Sequence, residues 1–598
     1  MAIPGSLVHR LRRLITGSAV LASAPQGGPL RKIFAVVLLG CFFAPIVPGQ
    51  ERVDLDMVGR IRQEGFRHSR VMESASHLMD AIGPRLTGSP NMKKANEWTR
   101  KQLEDWGLSN AHLESWGPFG RGWSYEECQV RMTVPETAEL LALPLAWTPP
   151  TPGTLHGAPV KVKVETKDDL EKEKGKLAGK IVLLGDMREV KPDEKALSQR
   201  YDEKALEELA QYPVPGASPY ARPGAPPFNR EEYLRRRQLD REVARFMADE
   251  KAAAVIEPGP LDGGTFRVQG AGNGWKTDAP PTVPTIVMAI EHYGRLARLL
   301  DQKEDVQLDV TVRAKFYDQD PMAYNTIAEI PGSDKKGEVV MLGGHMDSWH
   351  GGTGATDNGA GVVVAMEAVR ILKALDVHPR RTIRIALWSG EEEGLFGSKA
   401  YVTQHFGSRP EPKAGDSDLP SFLRPPTGPL TTKPEHAKLS AYFNLDNGTG
   451  KVRGIYTQEN VAAAPIFEAW IAPLKDLGVT TVTNRDTFGT DHVSFDAVGL
   501  PGFQFIQDEV EYDTRTHHTN MDVYERLQRE DLIQASVVMA CFVYDAAMRD
   551  AMMPRKALTK EQPAGQEAAP AQKAPRAKPD SPAPPPPESP AKPEAHPR

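Results

Sequence analysis

Apolar strand patterns alternate with helical patterns throughout residues 319–554. The strand-like stretches GEVVMLGGH and RTIRIALWSG each precede a helical stretch, GAGVVVAMEAVRILKAL and EEEGLFGSKAYVTQHF. Strands that are apolar on both faces belong in a sheet covered by helices on both sides, and helical crossovers make neighbouring strands parallel. The alternation therefore predicts an α/β domain with a mixed, largely parallel sheet sandwiched by helices.

The N-terminal end carries a targeting pattern. Residues 33–47, IFAVVLLGCFFAPIV, form an apolar stretch that follows basic residues and precedes polar chain. This pattern is typical of a secretory signal, so residues 1–49 predict an exported, periplasmic or extracellular protein. The stretch is shorter than a membrane-spanning helix, and no integral span is expected once the signal is removed. The sequence LLGC offers Cys41 as an alternative lipid-anchor site.

The remaining chain divides into segments that differ in composition and in predicted secondary structure. Residues 50–136 open with helical patterns and are assigned to the N-terminal part of the α/β domain. Residues 137–318, called here the inserted region, contain short β-rich runs, with a charged, proline-interrupted insertion at about 190–245. Residues 555–598 are rich in proline and alanine and cannot bury enough apolar surface to fold, which predicts a disordered tail.

Charge and cysteine content exclude several classes of function. A formal net charge of -6 over 598 residues favours neither nucleic-acid binding nor a polybasic membrane protein. The three cysteines include no CxxC pair, which excludes a thiolate zinc site and a dense disulfide framework. Any metal must therefore be held by His, Asp and Glu. Cys128 and Cys541 could form a disulfide after export, or Cys541 could remain a buried thiol in its apolar helix.

A histidine and two acids lie among glycines directly after one predicted strand, in GGHMDSWHGGTGATDNGAG. His345 and Asp347 are two residues apart at the strand end, a spacing that lets a carboxylate orient a metal-binding imidazole. Asp357 precedes the next helix, where an acid also serves as an ordinary N-cap. The stretch is therefore either a strand-to-helix turn or one edge of a metal site.

Further acids and histidines follow other predicted strands. The run EEE at 391–393 comes directly after a buried strand, where like charges repel unless a cation binds them, although a surface run is the commoner case. Asp446 follows the strand pattern YFNL, and His517 and His518 lie in RTHHTNMD, where either alone is typical of a loop. Ligand sites in α/β sheets lie at the carboxyl ends of strands, so these residues are candidate ligands.

The order of these motifs resembles one family closely. H-x-D, D-N-G-x-G, E-E-x-G-L-x-G-S, L-D and H-T-x-x-D occur in the order found in the co-catalytic zinc aminopeptidases, a family that includes glutamate carboxypeptidases and the transferrin receptor. The match spans about 320 to 550. The resemblance implies the zinc aminopeptidase-like fold, and it implies that residues 137–318 form a protease-associated domain whose charged insertion departs from the compact form.

The resemblance also implies two zinc ions per chain. Their ligands would be His345 and Asp446 for the first ion, Glu392 and His518 for the second, and Asp357 for both. Carboxylate and imidazole ligands are those that zinc takes in catalytic sites, so the donor chemistry agrees with this implication.

Catalytic roles follow from the same resemblance. Glu391 would be the general base for the attacking water, and Asp347 would orient His345. His492, in GTDHVSF, would contact the oxyanion or substrate, or would have only a packing role. The implied function is that of a secreted, zinc-dependent exopeptidase acting on peptides, most simply an aminopeptidase that releases N-terminal residues.

Two alternative functions remain on the same scaffold. A dipeptidase or carboxypeptidase would need a cation for the free carboxylate of the substrate, and Arg453, Arg485 and Arg515 are candidates by sequence position. A metal-free, receptor-like binding protein belongs to another class. The full ligand set and Glu391 favour an enzyme over a receptor, and the two-metal set also disfavours a single-zinc glutaminyl cyclase.

Overall fold

The strands of the described residues form one sheet of eight strands and smaller sheets of five, four and two strands. A computed structural model describes residues 51–211, 229–410, 419 and 428–556. In chain order the strands are β1 (Ser109–Trp116), β2 (Gly122–Val134), β3 (Ala138–Leu140), β4 (Ala142–Pro144), β5 (Leu155–Gly157), β6 (Pro159–Val162), β7 (Ile181–Leu184), β8 (Ala254–Pro258), β9 (Thr285–Met288), β10 (Gln307–Tyr317), β11 (Ala323–Ile330), β12 (Lys335–His345), β13 (Arg381–Trp388), β14 (Gly407–Ser408), β15 (Thr431–Thr432), β16 (Leu439–Asn444), β17 (Val452–Tyr456), β18 (Thr481–Thr483) and β19 (Gly502–Gln507).

Helices connect most of these strands. The α-helices are α1 (Leu55–His68), α2 (Val71–Ser76), α3 (Pro90–Asp105), α4 (Lys167–Glu173), α5 (Glu203–Ala210), α6 (Arg230–Asp249), α7 (Ile290–Asp301), α8 (Ala360–Ala374), α9 (Phe396–His405), α10 (Ala464–Ile471), α11 (His492–Asp496) and α12 (Arg529–Met548). Short π-helical turns occur at His77–Ile82, Ala355–Gly359 and Tyr512–Thr516, and 3-10 turns at Pro434–Lys438, Val461–Ala463, Ala472–Leu477 and Tyr524–Arg526.

The large sheet has eight strands in the order β1-β11-β13-β12-β16-β19-β17-β18. Its central strands β13, β12, β16 and β19 are parallel, whereas β1 and β11 pair antiparallel at one edge. Both faces are covered by apolar side chains, with α8 and α12 on one face and α9 and α11 on the other. The predicted α/β architecture with a mixed, largely parallel sheet is confirmed.

Helix α12 is buried along its whole length. It is the one helix in the described part of the chain that is long and apolar enough to cross a membrane, and 94% of its most apolar window is buried inside the protein. It packs against α8 in the main core. Its Val537 side chain also lies close to Gly65 of α1. The apolar character of α12 is therefore explained by packing in the core.

The inserted region contributes two further sheets. Strands β4, β9, β8, β7 and β6 form a five-stranded sheet that is parallel except for β4. Strands β3, β2, β10 and β5 form an antiparallel sheet, so the predicted boundary at residue 137 lies between two strands of the same sheet. The charged insertion contains α5 and most of α6, with residues 212–228 outside the described part.

Three predictions concern residues that the structure does not describe. The secretory signal at residues 1–49, including the anchor alternative at Cys41, lies outside the described residues, and so does the tail from residue 557 onward.

The two remaining cysteines are free: Cys541 is buried in α12 and Cys128 is half-buried in β2. The alternative of a bond between these two cysteines is therefore wrong.

Candidate metal centre

The predicted site residues meet at the carboxyl ends of three neighbouring parallel strands. His345 is the last residue of β12 and lies opposite Trp388, the last residue of β13. The EEE run follows β13, and Asp446 follows β16, which pairs with β12 on its other side. Parallel strands end at the same edge of a sheet, so the topology itself brings these side chains together.

His345 forms one group of possible ligands with two carboxylates. Its Nε2 atom lies 3.4 Å from Asp357 Oδ1 and 3.4 Å from Asp446 Oδ1. These three buried residues can direct one ligand atom each into a space where all the atoms lie within 4.8 Å of one another. Glu391 Oε2 lies slightly farther from the same imidazole, at 3.9 Å.

His518 forms a second group on the other side of Asp357. Its Nε2 atom lies 3.1 Å from both Asp357 Oδ2 and Glu392 Oε2. Asp357 therefore faces His345 with one carboxylate oxygen and His518 with the other. His517, the neighbouring candidate, lies 3.7 Å from Asp357 Oδ2 and forms an alternative group of three with Asp357 and His518.

The EEE run is not a surface feature. The side chains of Glu391 and Glu392 are 9% and 4% exposed, respectively. Burial raises the pKa of Glu391 well above its usual value, and the nearby carboxylate of Asp446 adds to this shift. Burial likewise raises the pKa of Glu392 to about 7, with Asp357 contributing. Burial is the main cause of both shifts; the neighbouring acids add to it, and the imidazoles of His345 and His518 oppose it.

The histidines respond in the opposite direction. Burial opposes the charged form of His345, yet the carboxylates of Asp446 and Glu391 raise its pKa well above the usual value. Burial also opposes the charged form of His518, but Glu392 and Asp357 raise its pKa to about 10. Both shifts arise from the negative charge of the surrounding carboxylates, which favours a positive charge at this site.

The residues present fit zinc ions. Three buried carboxylate oxygens that face the site, Asp357 Oδ2, Glu392 Oε1 and Asp446 Oδ1, form no regular hydrogen bond with the residues that the structure describes. The nearest imidazole nitrogens lie 3.1 Å from Asp357 Oδ2 and 3.4 Å from Asp446 Oδ1. A buried carboxylate oxygen without a partner is costly, and a divalent cation removes that cost. Zinc takes imidazole nitrogens and carboxylate oxygens together, which are the donors found here.

Asp347 contacts His345 mainly through its backbone. The Nδ1 atom of His345 lies 3.0 Å from the Asp347 carbonyl oxygen and 3.7 Å from carboxylate Oδ1. Carboxylate Oδ2 instead accepts hydrogen bonds from the Thr87 hydroxyl at 3.1 Å and from the Glu392 backbone N–H at 3.2 Å. The carboxylate expected to orient the imidazole thus also holds the backbone of Glu392.

Glycine allows the chain segments of the site to approach closely. A Cβ atom added at Gly361, in the first turn of α8, would lie 2.1 Å from the carbonyl oxygen of Leu445. The same Leu445 carbonyl, in the loop after β16, accepts a 2.9 Å hydrogen bond from the side-chain amide of Asn358. This close approach sets Asp357 and Asp446 on either side of His345.

Two buried residues that support the site were not singled out from the sequence. Asp522 accepts hydrogen bonds from the backbone N–H groups of Thr356 and Asp357, at 2.6 and 3.2 Å. Its only sequence signal is the last position of the H-T-x-x-D motif. Arg85 donates to the carbonyl oxygens of Met346 and Gly354, both at 2.7 Å, and nothing in its local sequence indicates this contact.

His492 is buried and lies in neither ligand group. Its Nε2 atom is 3.0 Å from the carbonyl oxygen of Thr487, and its Nδ1 atom has no partner among the described residues. Burial lowers the pKa of His492 to about 4. Because a carbonyl oxygen only accepts, Nε2 donates to Thr487, a contact that agrees with the packing alternative. The contact of His492 with substrate stays a prediction.

Two of the three arginines considered for carboxylate binding are engaged elsewhere. Arg453 contacts Asp508 at 3.2 Å and donates to the Gly478 carbonyl at 3.1 Å. Arg485 donates to backbone carbonyls at the end of α5, including that of Gln211 at 3.0 Å. Arg515 lies 3.5 Å from Glu511 on its own helical turn.

Comparison with known proteins finds a similarity to one family of peptidases. Residues 325–543 match the model of peptidase family M28. Carboxypeptidase Q of Mus musculus is 28% identical over 492 residues, covering 82% of this chain and 88% of that relative. Leupeptin-inactivating enzyme 1 of Streptomyces exfoliatus is 29% identical over 193 residues, covering 32% of this chain and 37% of that relative.

Solved structures agree with the fold. A peptidase M28 precursor from Shewanella amazonensis SB2B has a TM-score of 0.56 at 23% identity, covering 84% of this chain and 99% of that one. A zinc aminopeptidase from Bacillus subtilis has a TM-score of 0.50 at 19% identity, covering 80% and 95%. The segment that matches the model of peptidase family M28, residues 325–543, contains all the residues of both ligand groups, so the similarity covers the whole candidate site.

Proposed function

We propose that this protein is an exopeptidase with two zinc ions per chain that releases residues from the free N-terminus of peptides. The observation that carries the proposal is the position of Asp357, whose two carboxylate oxygens face His345 and His518 separately. A carboxylate in that position suits a bridging ligand between two cations. His345 and Asp446 would hold the first ion, and Glu392 and His518 the second.

Zinc bound here would supply the Lewis acidity that polarises a scissile carbonyl. Glu391 is the proposed general base: its buried carboxylate accepts a proton from the attacking water and delivers that proton to the leaving nitrogen. Burial and the neighbouring acids, which raise the pKa of Glu391, strengthen its affinity for the proton. Asp347 would hold His345 and the Glu392 backbone in place.

The charge of the site supports attack from the N-terminus. A free N-terminal ammonium group is attracted to the carboxylates of Glu392 and Asp446, whereas a free C-terminal carboxylate needs a cation of its own. The test compares a short peptide with its N-acetylated and C-amidated forms. We expect acetylation to abolish hydrolysis and amidation to leave it largely intact; the reverse pattern would identify a carboxypeptidase.

A dipeptidase or carboxypeptidase is the second candidate, and Arg267 is the observation that favours it. Arg267 pairs in a β-bridge with Thr519, next to His518, and its Nη2 atom makes a long, 3.4 Å contact with the Asp513 carbonyl. Its Nε atom is buried and has no partner among the described residues. The similarity to carboxypeptidase Q over 82% of the chain points the same way.

Arg267→Gln separates the two candidates. If Arg267 binds a substrate carboxylate, the variant should show a raised KM for peptides with a free C-terminus and an unchanged KM for amidated peptides. Equal KM values for both substrate forms in the variant and the wild type would remove this candidate. A receptor-like protein is identified by a different outcome, which is a folded protein that retains no zinc and hydrolyses none of these peptides.

Export and the protease-associated character of the inserted region belong to the same proposal. The support for export is the secretory pattern in residues 1–49, and its test is fractionation of cells that express the full chain. The support for the protease-associated assignment is the position of the β-rich sheets between β2 and β11. To test its effect on substrate access, the cleavage rates of long and short peptides would be compared between the wild type and a variant altered in the inserted region.

A further inference from the structure

The loop that carries His518 is held by the inserted region on two sides. This segment, residues 508–520, is called here the histidine loop. On one side, the backbone N–H of Val268 donates to the His518 carbonyl at 3.0 Å, and Phe266 N–H donates to the Asn520 side chain at 3.0 Å. A strand-like segment of the inserted region thus pairs with the loop at the position of the proposed second ion.

The same segment places one polar side chain against the His518 imidazole. The Gln269 amide nitrogen lies 3.1 Å from His518 Nδ1, the ring atom that faces away from Asp357 and Glu392. When Nε2 of a histidine binds a cation, Nδ1 carries the proton and needs an acceptor. A half-turn of the Gln269 amide presents its oxygen to that proton.

The other side of the histidine loop is held by residues 197–201, within the charged insertion. The backbone groups of Gln199 and Val510 exchange two hydrogen bonds, of 2.8 and 2.7 Å. The Thr514 hydroxyl donates to the Leu197 carbonyl at 2.8 Å. These contacts pair the start of the loop with a segment about 310 residues earlier in the sequence.

Arg200 anchors this second contact electrostatically. Its guanidinium lies 3.1 Å from the Asp508 carboxylate and 2.7 Å from that of Asp531. The Asp508 side chain is fully buried, so it requires a cation and hydrogen-bond donors nearby. Tyr201 N–H supplies one such bond to Asp508 at 3.0 Å.

His518 itself needs such support because its backbone has a φ of +63°. Residues with a Cβ atom rarely adopt this left-handed conformation, and they keep it only when their surroundings hold it. Contacts on both sides of the histidine loop supply that restraint. The loop would contribute a ligand, yet part of its restraint comes from a region that contributes none of the proposed ligands, in addition to contacts within the α/β domain such as that of Arg453 with Asp508.

We propose that the inserted region builds the second metal position, with Gln269 as the positioning residue for the His518 imidazole and Arg200 as the anchor of the histidine loop. The inference rests on the proposed two-zinc function. It assigns the inserted region a role in retaining one particular ion, in addition to any effect on substrate access.

The first experiment measures zinc retained by purified full-length protein after dialysis against graded chelator. We expect Gln269→Leu to release one ion at roughly 10- to 100-fold lower chelator concentration than the wild type, and to retain the other ion as the wild type does. Gln269→Glu should restore retention, because a carboxylate accepts the Nδ1 proton. A merely structural role would not separate Leu from Glu in this way.

The matched control is Arg295→Ala, which removes an exposed ion pair with Glu136 in the same region. It should leave both ions in place. If Gln269→Leu retains both ions as tightly as the wild type, the role of Gln269 is refuted. A wild-type protein with fewer than two ions would instead refute the two-zinc function, so the two failures are distinguishable.

The second experiment tests Arg200 by hydrogen exchange of the zinc-loaded full chain. Arg200→Ala should increase backbone exchange within residues 508–520 and leave exchange in the five-stranded sheet unchanged. Arg295→Ala should change neither. Unaltered exchange of the histidine loop in a folded Arg200→Ala protein would refute the anchoring role, and if that variant fails to fold, the Gln269 measurements still decide the proposal.

Discussion

Asp357 and Glu391 have different positions in the site despite being acids of similar burial. Asp357 lies between two imidazoles, and these lower its pKa well below the usual value although burial opposes the shift. Glu391 lies farther from His345, at 3.9 Å. Burial and the charges of neighbouring acids raise its pKa instead. The contrast agrees with the proposed roles of Asp357 as a ligand and Glu391 as the base. Since the pKa of the proposed ligand Glu392 is raised as well, turnover and metal content must distinguish the roles of the two glutamates.

Glu391→Gln tests this distinction directly. The amide cannot accept a proton from water, so we expect turnover to fall by about 10²–10⁴-fold while the metal content is unchanged. Glu392→Gln is the comparison, since it should lower the metal content as well as the rate. Near-normal turnover of the Glu391→Gln protein would show that another group is the base, and both measurements use the same purified samples.

Gly361→Ala tests the close packing behind the site. The added Cβ would lie 2.1 Å from the Leu445 carbonyl, so α8 must shift away from the loop that bears Asp446. We expect a lower Tm and weaker zinc retention. Gly59→Ala is the control: its Cβ meets no atom within 4 Å, and removing a helical glycine should stabilise by about 0.5–1 kcal/mol. Equal Tm values for the Gly361→Ala protein and the wild type would refute the packing argument.

Among the elements, β8 carries a partly buried ionisable group, Glu257, near its end. Burial raises the pKa of Glu257 in this strand to about 7, and the charge of Asp240 on α6 adds to the shift. The folded protein therefore holds a proton that the unfolded chain releases above its own, lower pKa. This contribution is complete below the unfolded pKa and is lost as the pH rises through about 7.

We therefore expect the Tm of the protein to fall between pH 5 and pH 8 in part because of Glu257. The Gln side chain has nearly the shape and hydrogen-bonding capacity of the neutral acid, but it does not ionise. The fall in Tm should therefore be smaller in Glu257→Gln. Thermal unfolding at several pH values, with the exposed Glu304→Gln as control, measures the difference. Identical pH profiles for Glu257→Gln and the wild type would contradict the assignment.

For the molecule as a whole, the proposed ions join the large sheet to the histidine loop. The proposed ligands come from the ends of β12, β13 and β16, from the turn before α8 and from a loop that the inserted region contacts. Removing bound zinc would leave buried carboxylates without a counter-charge. Binding to the folded state alone stabilises by about 4 kcal/mol when the free ligand is about 1,000 times its Kd.

Chelation should consequently lower the Tm of the whole protein, and added zinc should restore it. The same treatment of His345→Ala, which lacks one ligand of the first ion, should produce a smaller fall. A Tm that does not respond to chelator, in a protein shown by metal analysis to have lost its zinc, would mean that the ions do not stabilise the fold.

The sequence by itself determined the α/β architecture and the candidate ligands. Strand and helix periodicities are local, and parallel strands must end at one sheet edge, so His345 and Asp446 were expected to meet before any contact was known. The motif order was sufficient to indicate the family. The choice between His517 and His518 rested on that resemblance alone.

Only the tertiary structure decided how the site is supported. The contacts of Arg85 with Met346, of Gln269 with His518 and of Arg200 with Asp508 each join segments about 250 or more residues apart. Local periodicity carries no information about such pairs, because they depend on how sheets and loops pack in three dimensions. Likewise, Asp347 can orient His345 through its carbonyl or through its carboxylate. The spacing of the two residues in the sequence does not distinguish these contacts, because they depend on the local backbone geometry.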